Sequence, residues 1–506
     1  MPRRDALSAV EHLPRNLLVL SSLTPTPASI FPRRLPHPYV WGSFMSAAPS
    51  RRRPSFGLVT MSPQLHLNIS LLTPGHFRGS WRVDGNHPGD FVDPAHFRRL
   101  IRIAERGRLD AVFVGDSPAL SADIRHAPGL GLDPVVMLAD AAAGTEHIGV
   151  IATGSSTYND PYNLARRYLS LDHLTGGRTG WNVVTTQHPA ASANFGYSDP
   201  PEKDERYRRA DEFVEVVTKL WDGWESDAVI GDTESGWFAD PDRIRPAEHR
   251  GPRLSVAGAL PLPRSPQGRP LIVQAGASEG GLALAGKYAD LVFSAAQTID
   301  VARNLRTDIR GRAAANGRDP DRVKVSTGLI TVVGGTESEA RRREEELRET
   351  IPLEPALRQL AGQLGLDPEN LHLDTVIRAE DLPGNSSSQP RSAGFFASTR
   401  ALLADEPLTA RQLIHKFAGG AGHQLAVGTG EQIADRIEAW FRSGATDGFT
   451  IMPGEVGTGL EAFVDQVVPH LVTRGLFRSE YAHSTLRGNL GLEVAETGAP
   501  AESTAN

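Results

Sequence analysis

LIVQAGASEGGLALA, residues 271–285, runs from an apolar segment through Gly276, Ala277 and Ser278 into a helix of small residues. An uninterrupted apolar strand belongs to a parallel sheet covered on both faces. A strand that turns directly into a helix is one βα unit of such a sheet. The same turn suits a phosphate: small residues let the backbone approach an anion, the first helical amides point at it, and Ser278 can add a hydroxyl at the N-cap. One such turn is also an ordinary strand-to-helix connection, so the rest of the chain decides.

The rhythm repeats on both sides. LHLNISLL (65–72), DAVFVGD (110–116), IGVIATG (148–154), RTGWNVVT (178–185), the segments 271–275 and 289–293, VKVSTGLITVV (323–333) and GFTIMP (448–453) read as strands. Helices separate them. Asp93 and Pro94 start one whose stripe is Phe97, Leu100, Ile101 and Ala104; others run over about 134–143 and 161–174. A longer one buries Phe213, Val214, Val217, Leu220 and Trp221, and the last strand follows a helix with Ile433, Ile437, Trp440 and Phe441 on one face. In GTGEQIADRI (428–437) the glycines precede a helix without a dinucleotide fingerprint, and the segment reads as helix capping. Eight βα units in alternation give an α/β fold, a (β/α)8 TIM barrel with large insertions at about 225–269 and 350–425. The barrel spans 61–492. Residues 1–60, with eight Arg, no Lys, only Asp5 and Glu11 as acids and many prolines, read as a disordered extension, or as upstream of the true start at Met61; a targeting peptide is the other reading of Arg3, Arg4 and Arg15 before Leu17–Leu20. Residues 493–506 read as a disordered tail.

Composition removes several classes of function. The 506 residues contain no cysteine, which excludes thiolate metal sites and cysteine nucleophiles, and the 16 histidines show no metal-ligand spacing, so no metal is expected. A net charge of -7 argues against nucleic acid or anionic membrane as the partner, and no run approaches the roughly 18 apolar residues of a membrane span. A cytoplasmic protein is the expectation.

Barrel active sites lie at the carboxyl ends of the strands. The polar residues there are Asp116, Thr153, Asn182, Thr185 and Ser278, with Ala277 in the same turn as Ser278 and His76 just after the first strand. Together they describe a mouth with few charges, suited to a large planar ligand with a phosphate tail. The phosphate turn follows the fifth strand of this count, whereas barrels often hold phosphate after the seventh and eighth.

Six segments, VFVGDSPAL (112–120), IGVIATGSSTYNDPYNLAR (148–166), TGGRTGWNVVTT (175–186), NFGYSDPPEKDERYRRADEF (194–213), LIVQAGASEGG (271–281) and VVPHLVTRGLFRSEYAHSTLRGNLGL (467–492), resemble the bacterial-luciferase-like FMN monooxygenases, in the subgroup of the nitrilotriacetate, dibenzothiophene-sulfone and pristinamycin-synthase oxygenases. The resemblance runs in order from about 65 to 492. It implies the oxygenase component of a two-component system, in which a separate NAD(P)H-dependent flavin reductase supplies reduced FMN and one oxygen atom of O2 enters a small organic substrate. It also implies a homo-oligomer. By similarity, flavin contacts fall on Asp116 and Thr153 near the ring, on Lys203 and Tyr207, and on Ala277 and Ser278 at the phosphate; His76 and Asn182 are the candidates for orienting flavin and substrate. Lys203 stands where the family usually has histidine and offers a point charge in place of an imidazole. Phe77 falls in a segment where relatives tend to show a second histidine after His76. The 350–425 insertion would cover the pocket and keep water out. A deazaflavin- or FMN-dependent hydride-transfer enzyme on the same barrel and a non-catalytic flavin-binding protein are the alternative readings. A Schiff-base barrel enzyme would need a lysine at a strand end, and the chain's scarce lysines fall elsewhere.

Overall fold

The computed structural model describes residues 64–121, 123–276, 278–383, 393–417 and 423–495. The N-terminal extension, Ala277, the GNSSSQP segment and the tail beyond 495 lie outside these residues. Among the described residues no helix is long and apolar enough to cross a membrane.

Nine strands build the main sheet: β1 (His66–Ser70), β2 (Ala111–Val114), β3 (Gly149–Ser155), β4 (Thr179–Val184), β5 (Leu271–Ala275), β6 (Leu291–Ser294), β7 (Lys324–Val333), β8 (Gln424–Gly428) and β9 (Gly448–Pro453). Every pairing among them is parallel, and the order β1-β2-β3-β4-β5-β6-β7-β9 returns to β1, a closed barrel of eight strands. These are the eight strands expected from the apolar runs, and the turn at residues 276–278 does follow the fifth. β8 was not anticipated. It exists because β7 is twice the usual length: β6 pairs with its lower half, Lys324–Thr327, and β8 with Leu329–Val333 on the same edge.

Three barrel helices open on Asp-Pro. Asp93 accepts from Ala95 N, Asp133 from Val135 N and Val136 N, and Asp160 from Asn163 N, each ahead of a proline that needs no donor at the first helical position. The GTGEQIADRI segment is capping as expected, with Thr429 and Gln432 closing a reciprocal capping box before the helix Gly430–Arg442.

Register sorts each strand's residues into inward and outward sets. Thr153 pairs with Asn182, Asn182 with Val273, Ala275 with Phe293, and Gly328 with Thr450, which pairs with Asn68. All of these face into the barrel. The floor below them is apolar. Ala111, Ile151, Leu271 and Leu291 meet Leu486, Leu490 and Leu492 of the C-terminal segment in one buried cluster. That segment is anchored by Arg487 on Asp290, at 2.9 and 3.1 Å, and by the buried pair Arg478 and Asp110. Residues beyond 492 stay attached as far as Ala495, whose N–H donates to Gln267 O at 3.3 Å.

The first insertion carries the hairpin Val229–Asp232 and Trp237–Ala239 and a shorter ribbon, His249–Arg250 with Ser255–Val256. The second contributes the helices Leu353–Leu364, Ala393–Asp405 and Ala410–Lys416. Its Leu360, Phe395, Leu413 and Phe417 form a core with Phe77, Ile330 and Met452, so this insertion is built onto the β7 and β9 side of the mouth.

Candidate active site

β5 ends at Ala275, and the chain turns at Gly276 with φ +148°, where a side chain would be strained. Ser278 is the N-cap of the helix Glu279–Tyr288, its Oγ accepting from Gly281 N at 3.3 Å. That Oγ also lies 2.7 Å from the hydroxyl of Tyr207. Tyr207 comes from the helix Lys203–Trp221, whose buried face of Phe213, Val214, Val217, Leu220 and Trp221 locks it to the barrel and so fixes where Tyr207 stands. The ring rests on Gly280: a Cβ there would sit 2.6 Å from its carbons. Glu279, the acid nearest the turn, is drawn away by Arg312 at 2.7 and 3.0 Å. The result is a hydroxyl pair at the positive end of a helix, with no free carboxylate beside it, which fits an anion. Gly280→Ala is expected to push Tyr207 off Ser278; with FMN seated here as the resemblance implies, its dissociation constant should rise about tenfold, the weight of one hydrogen bond, in a flavin-fluorescence titration.

On the adjacent strands Asn182 Nδ2 donates to Thr153 Oγ1 at 2.9 Å, and Asn182 Oδ1 is buried without a partner. Buried polar atoms are normally paired, so this unpaired acceptor, inward at the barrel mouth, marks a surface shaped for a ligand. Asp116 follows β2, half-buried, its carboxyl pushed up by burial and by the neighbouring Asp133. It is thereby more ready to take a proton and act as a donor.

The structure thus brings Thr153 to Asn182 and Tyr207 to Ser278. Lys203 stands one helical turn before Tyr207, exposed and without an ion pair among the described residues. Ala277 lies outside them. His76, in the loop after β1, is tied by its N–H to Pro453 O at 3.0 Å and has a buried Nε2 without a partner. Burial, with His423 beside it, pushes His76 down to about 3. Among the described residues no group of acidic, histidine or cysteine side chains could hold a metal.

Two residues of this mouth escaped sequence reading. Asn68, on β1, is buried with both amide atoms unpartnered; its signal was the alternation of His66, Asn68 and Ser70 with apolar residues in LHLNISLL, which sets three polar side chains on one face. His423 sits just before β8 in a glycine-rich stretch and belongs to no motif.

The family model for luciferase-like monooxygenases matches residues 68–447. The chain belongs to the luciferase-like monooxygenase family. Nitrilotriacetate monooxygenase component A of Aminobacter aminovorans is 40% identical to this luciferase-like chain over 442 residues, covering 85% of it and 96% of the relative. Dibenzothiophene-sulfone monooxygenase of Rhodococcus erythropolis (strain XP) is 39% identical over 453 residues, covering 87% and 99%. Among solved structures, riboflavin lyase with modified FMN and riboflavin superposes with a TM-score of 0.74 at 32% identity, covering 85% of the luciferase-like chain and 96% of that one. The relatives' substrates differ widely in charge and shape, so membership in the luciferase-like family leaves the substrate to be read from the pocket.

Proposed function

We propose that this chain is the oxygenase component of a two-component flavin monooxygenase, taking reduced FMN from a separate NAD(P)H-dependent flavin reductase and inserting one atom of O2 into a small organic substrate. The Tyr207–Ser278 hydroxyl pair at the head of the fifth-strand helix carries this reading, because it offers a phosphate seat on the same mouth as the Thr153–Asn182 pair. A family relative crystallised with modified FMN supports it.

Reduced flavin supplies the two electrons that let one oxygen atom go to substrate and the other to water. The chain's own residues do the rest. Tyr207 and Ser278 hold the phosphate, with Lys203 adding a positive charge and, by the family resemblance, Ala277 a further contact. Thr153 and Asn182 present neutral hydrogen-bonding groups to the ring, with the Asp116 carboxyl beside them; the unpaired Oδ1 of Asn182 accepts from a ligand donor. His76, neutral at any working pH, faces the substrate as a hydrogen-bonding group rather than as a charge. The insertion packed on β7 and β9 walls this side of the mouth from water.

The test is incorporation of label. Purified chain, FMN, an added reductase with NADH, and 18O2 should yield, for a member of a substrate panel, product heavier by one labelled oxygen, dependent on FMN. Failure to bind FMN, or hydrogen peroxide as the sole oxygen product with the whole panel, would overturn the proposal.

A further inference from the structure

Beside the turn that follows β5, and reaching over to β2, the barrel lining is aromatic and uncharged. Phe293, inward on β6, stacks on the His423 ring with centroids 5.2 Å apart and an interplanar angle of 30°, and Phe113 on β2 lies 5.7 Å from Phe293. His423 is held by its carbonyl, which accepts from Gln297 Nε2 at 3.0 Å. Its ring occupies the space above Gly328, where a Cβ would come within 2.2 Å of Nδ1 and 2.9 Å of Met452 Sδ. Gly328 is an inward position of β7, level with Asn68 across β9. The imidazole therefore projects into the barrel, and its Nδ1 is buried with no partner, like Nε2 of His76 and both amide atoms of Asn68. Among the described residues no charged side chain acts on either ring: burial alone pushes His423 down to about 4, and burial with His423 pushes His76 down to about 3.

We propose that this wall is the substrate subsite and that it selects an uncharged molecule with an aromatic or apolar body, stacked against Phe293 and His423 and held by one hydrogen bond to His423 Nδ1. The inference rests on the oxygenase reading above and adds the substrate's chemical class. Phe113, Phe293, Met452, His76, His423 and Asn68 give a ligand apolar area and neutral hydrogen-bonding atoms. Among the described residues no cation stands at this wall to meet the charges of a polycarboxylate, and burying an unpaired charge is unfavourable. His423 is thus a specificity-determining residue.

The experiment is calorimetric binding to the FMN-saturated chain of dibenzothiophene sulfone, thioxanthone and diphenyl sulfide, each paired with its carboxylic acid derivative. At least one neutral member should bind, and bind at least about tenfold more tightly than its acid. His423→Phe keeps the stack and removes the hydrogen bond. It should weaken the neutral ligand about tenfold and leave FMN affinity within about twofold, which also reports that the variant folds; His423→Gln should recover part of the loss. Acids that bind as well as their neutral partners, a panel in which no neutral member binds, or a His423→Phe chain of unchanged ligand affinity would overturn the subsite. A wild-type chain that does not bind FMN overturns the oxygenase reading instead.

Discussion

A chain carrying Ser278→Asp should bind FMN at least about a hundredfold more weakly than the wild type. Two unit charges 4 Å apart at an effective dielectric of about 20 repel by about 4 kcal/mol. Salt and the partial exposure of Ser278 reduce this, but about 2.7 kcal/mol is enough for a hundredfold. The substitution is selective because aspartate caps a helix as well as serine: the helix Glu279–Tyr288 keeps its first turn, and the melting temperature of the flavin-free protein should not move. Ser278→Ala makes the complementary control. It removes the bond to Tyr207 and the cap together, so it should lower both FMN affinity, by about tenfold, and stability, by about 1 kcal/mol. Fluorescence titration and thermal melting separate the two. An FMN affinity that Ser278→Asp leaves unchanged would remove the phosphate from this turn.

The largest loss of stability is expected at Asp110, far from the mouth. Its carboxylate is fully buried, pairs with Arg478, accepts from Leu67 N at 2.6 Å and lies 3.4 Å from His66 Nδ1. Asp110→Ala leaves the Arg478 guanidinium buried and unpaired, a situation that costs about 3–5 kcal/mol. Urea denaturation should show that loss, and Asp110→Ala with Arg478→Met should recover much of it, because two apolar groups leave no orphaned charge. Burial works against ionisation of Asp110, but Arg478 and His66 outweigh it and hold the carboxyl below its ordinary value. The stabilisation is therefore complete above the unfolded value near pH 4 and is lost as pH falls through the lower folded value. The gap between wild type and Asp110→Ala should accordingly narrow in acid. A single variant that loses less than about 1 kcal/mol at pH 7 would show that the pair contributes little.

The barrel was legible because its strands are apolar on both faces, so VFV, GVIA and LIVQ stand out whatever lies around them. β8 was not: QLAVG alternates in burial, and only the excess length of β7 gives it an edge to pair with. The binding residues divide in the same way. Thr153 and Asn182 occupy strand ends, where position alone suggests a role, and Ser278 has the composition of a cap. Tyr207 could be paired with Ser278 only through the family resemblance, since 71 positions separate them. His423 depends on the room that Gly328 leaves for its ring and on the face of Phe293, neither of which a single sequence displays. The Asp110–Arg478 pair, 368 positions apart, is hidden for the same reason.

β1 is among the earliest parts of the barrel to be synthesised, yet one of its two neighbours, β9, and the C-terminal leucines that seal the floor are among the last. While the ribosome is still at work, β1 has β2 on one edge and nothing native to offer the other. The nascent half-barrel thus carries an unpaired parallel edge and an open apolar base until β9 and the C-terminal leucines are made, conditions under which sheets capture wrong partners. Closure has to wait for the last strand of the barrel, and holding that edge until then is work suited to a chaperone.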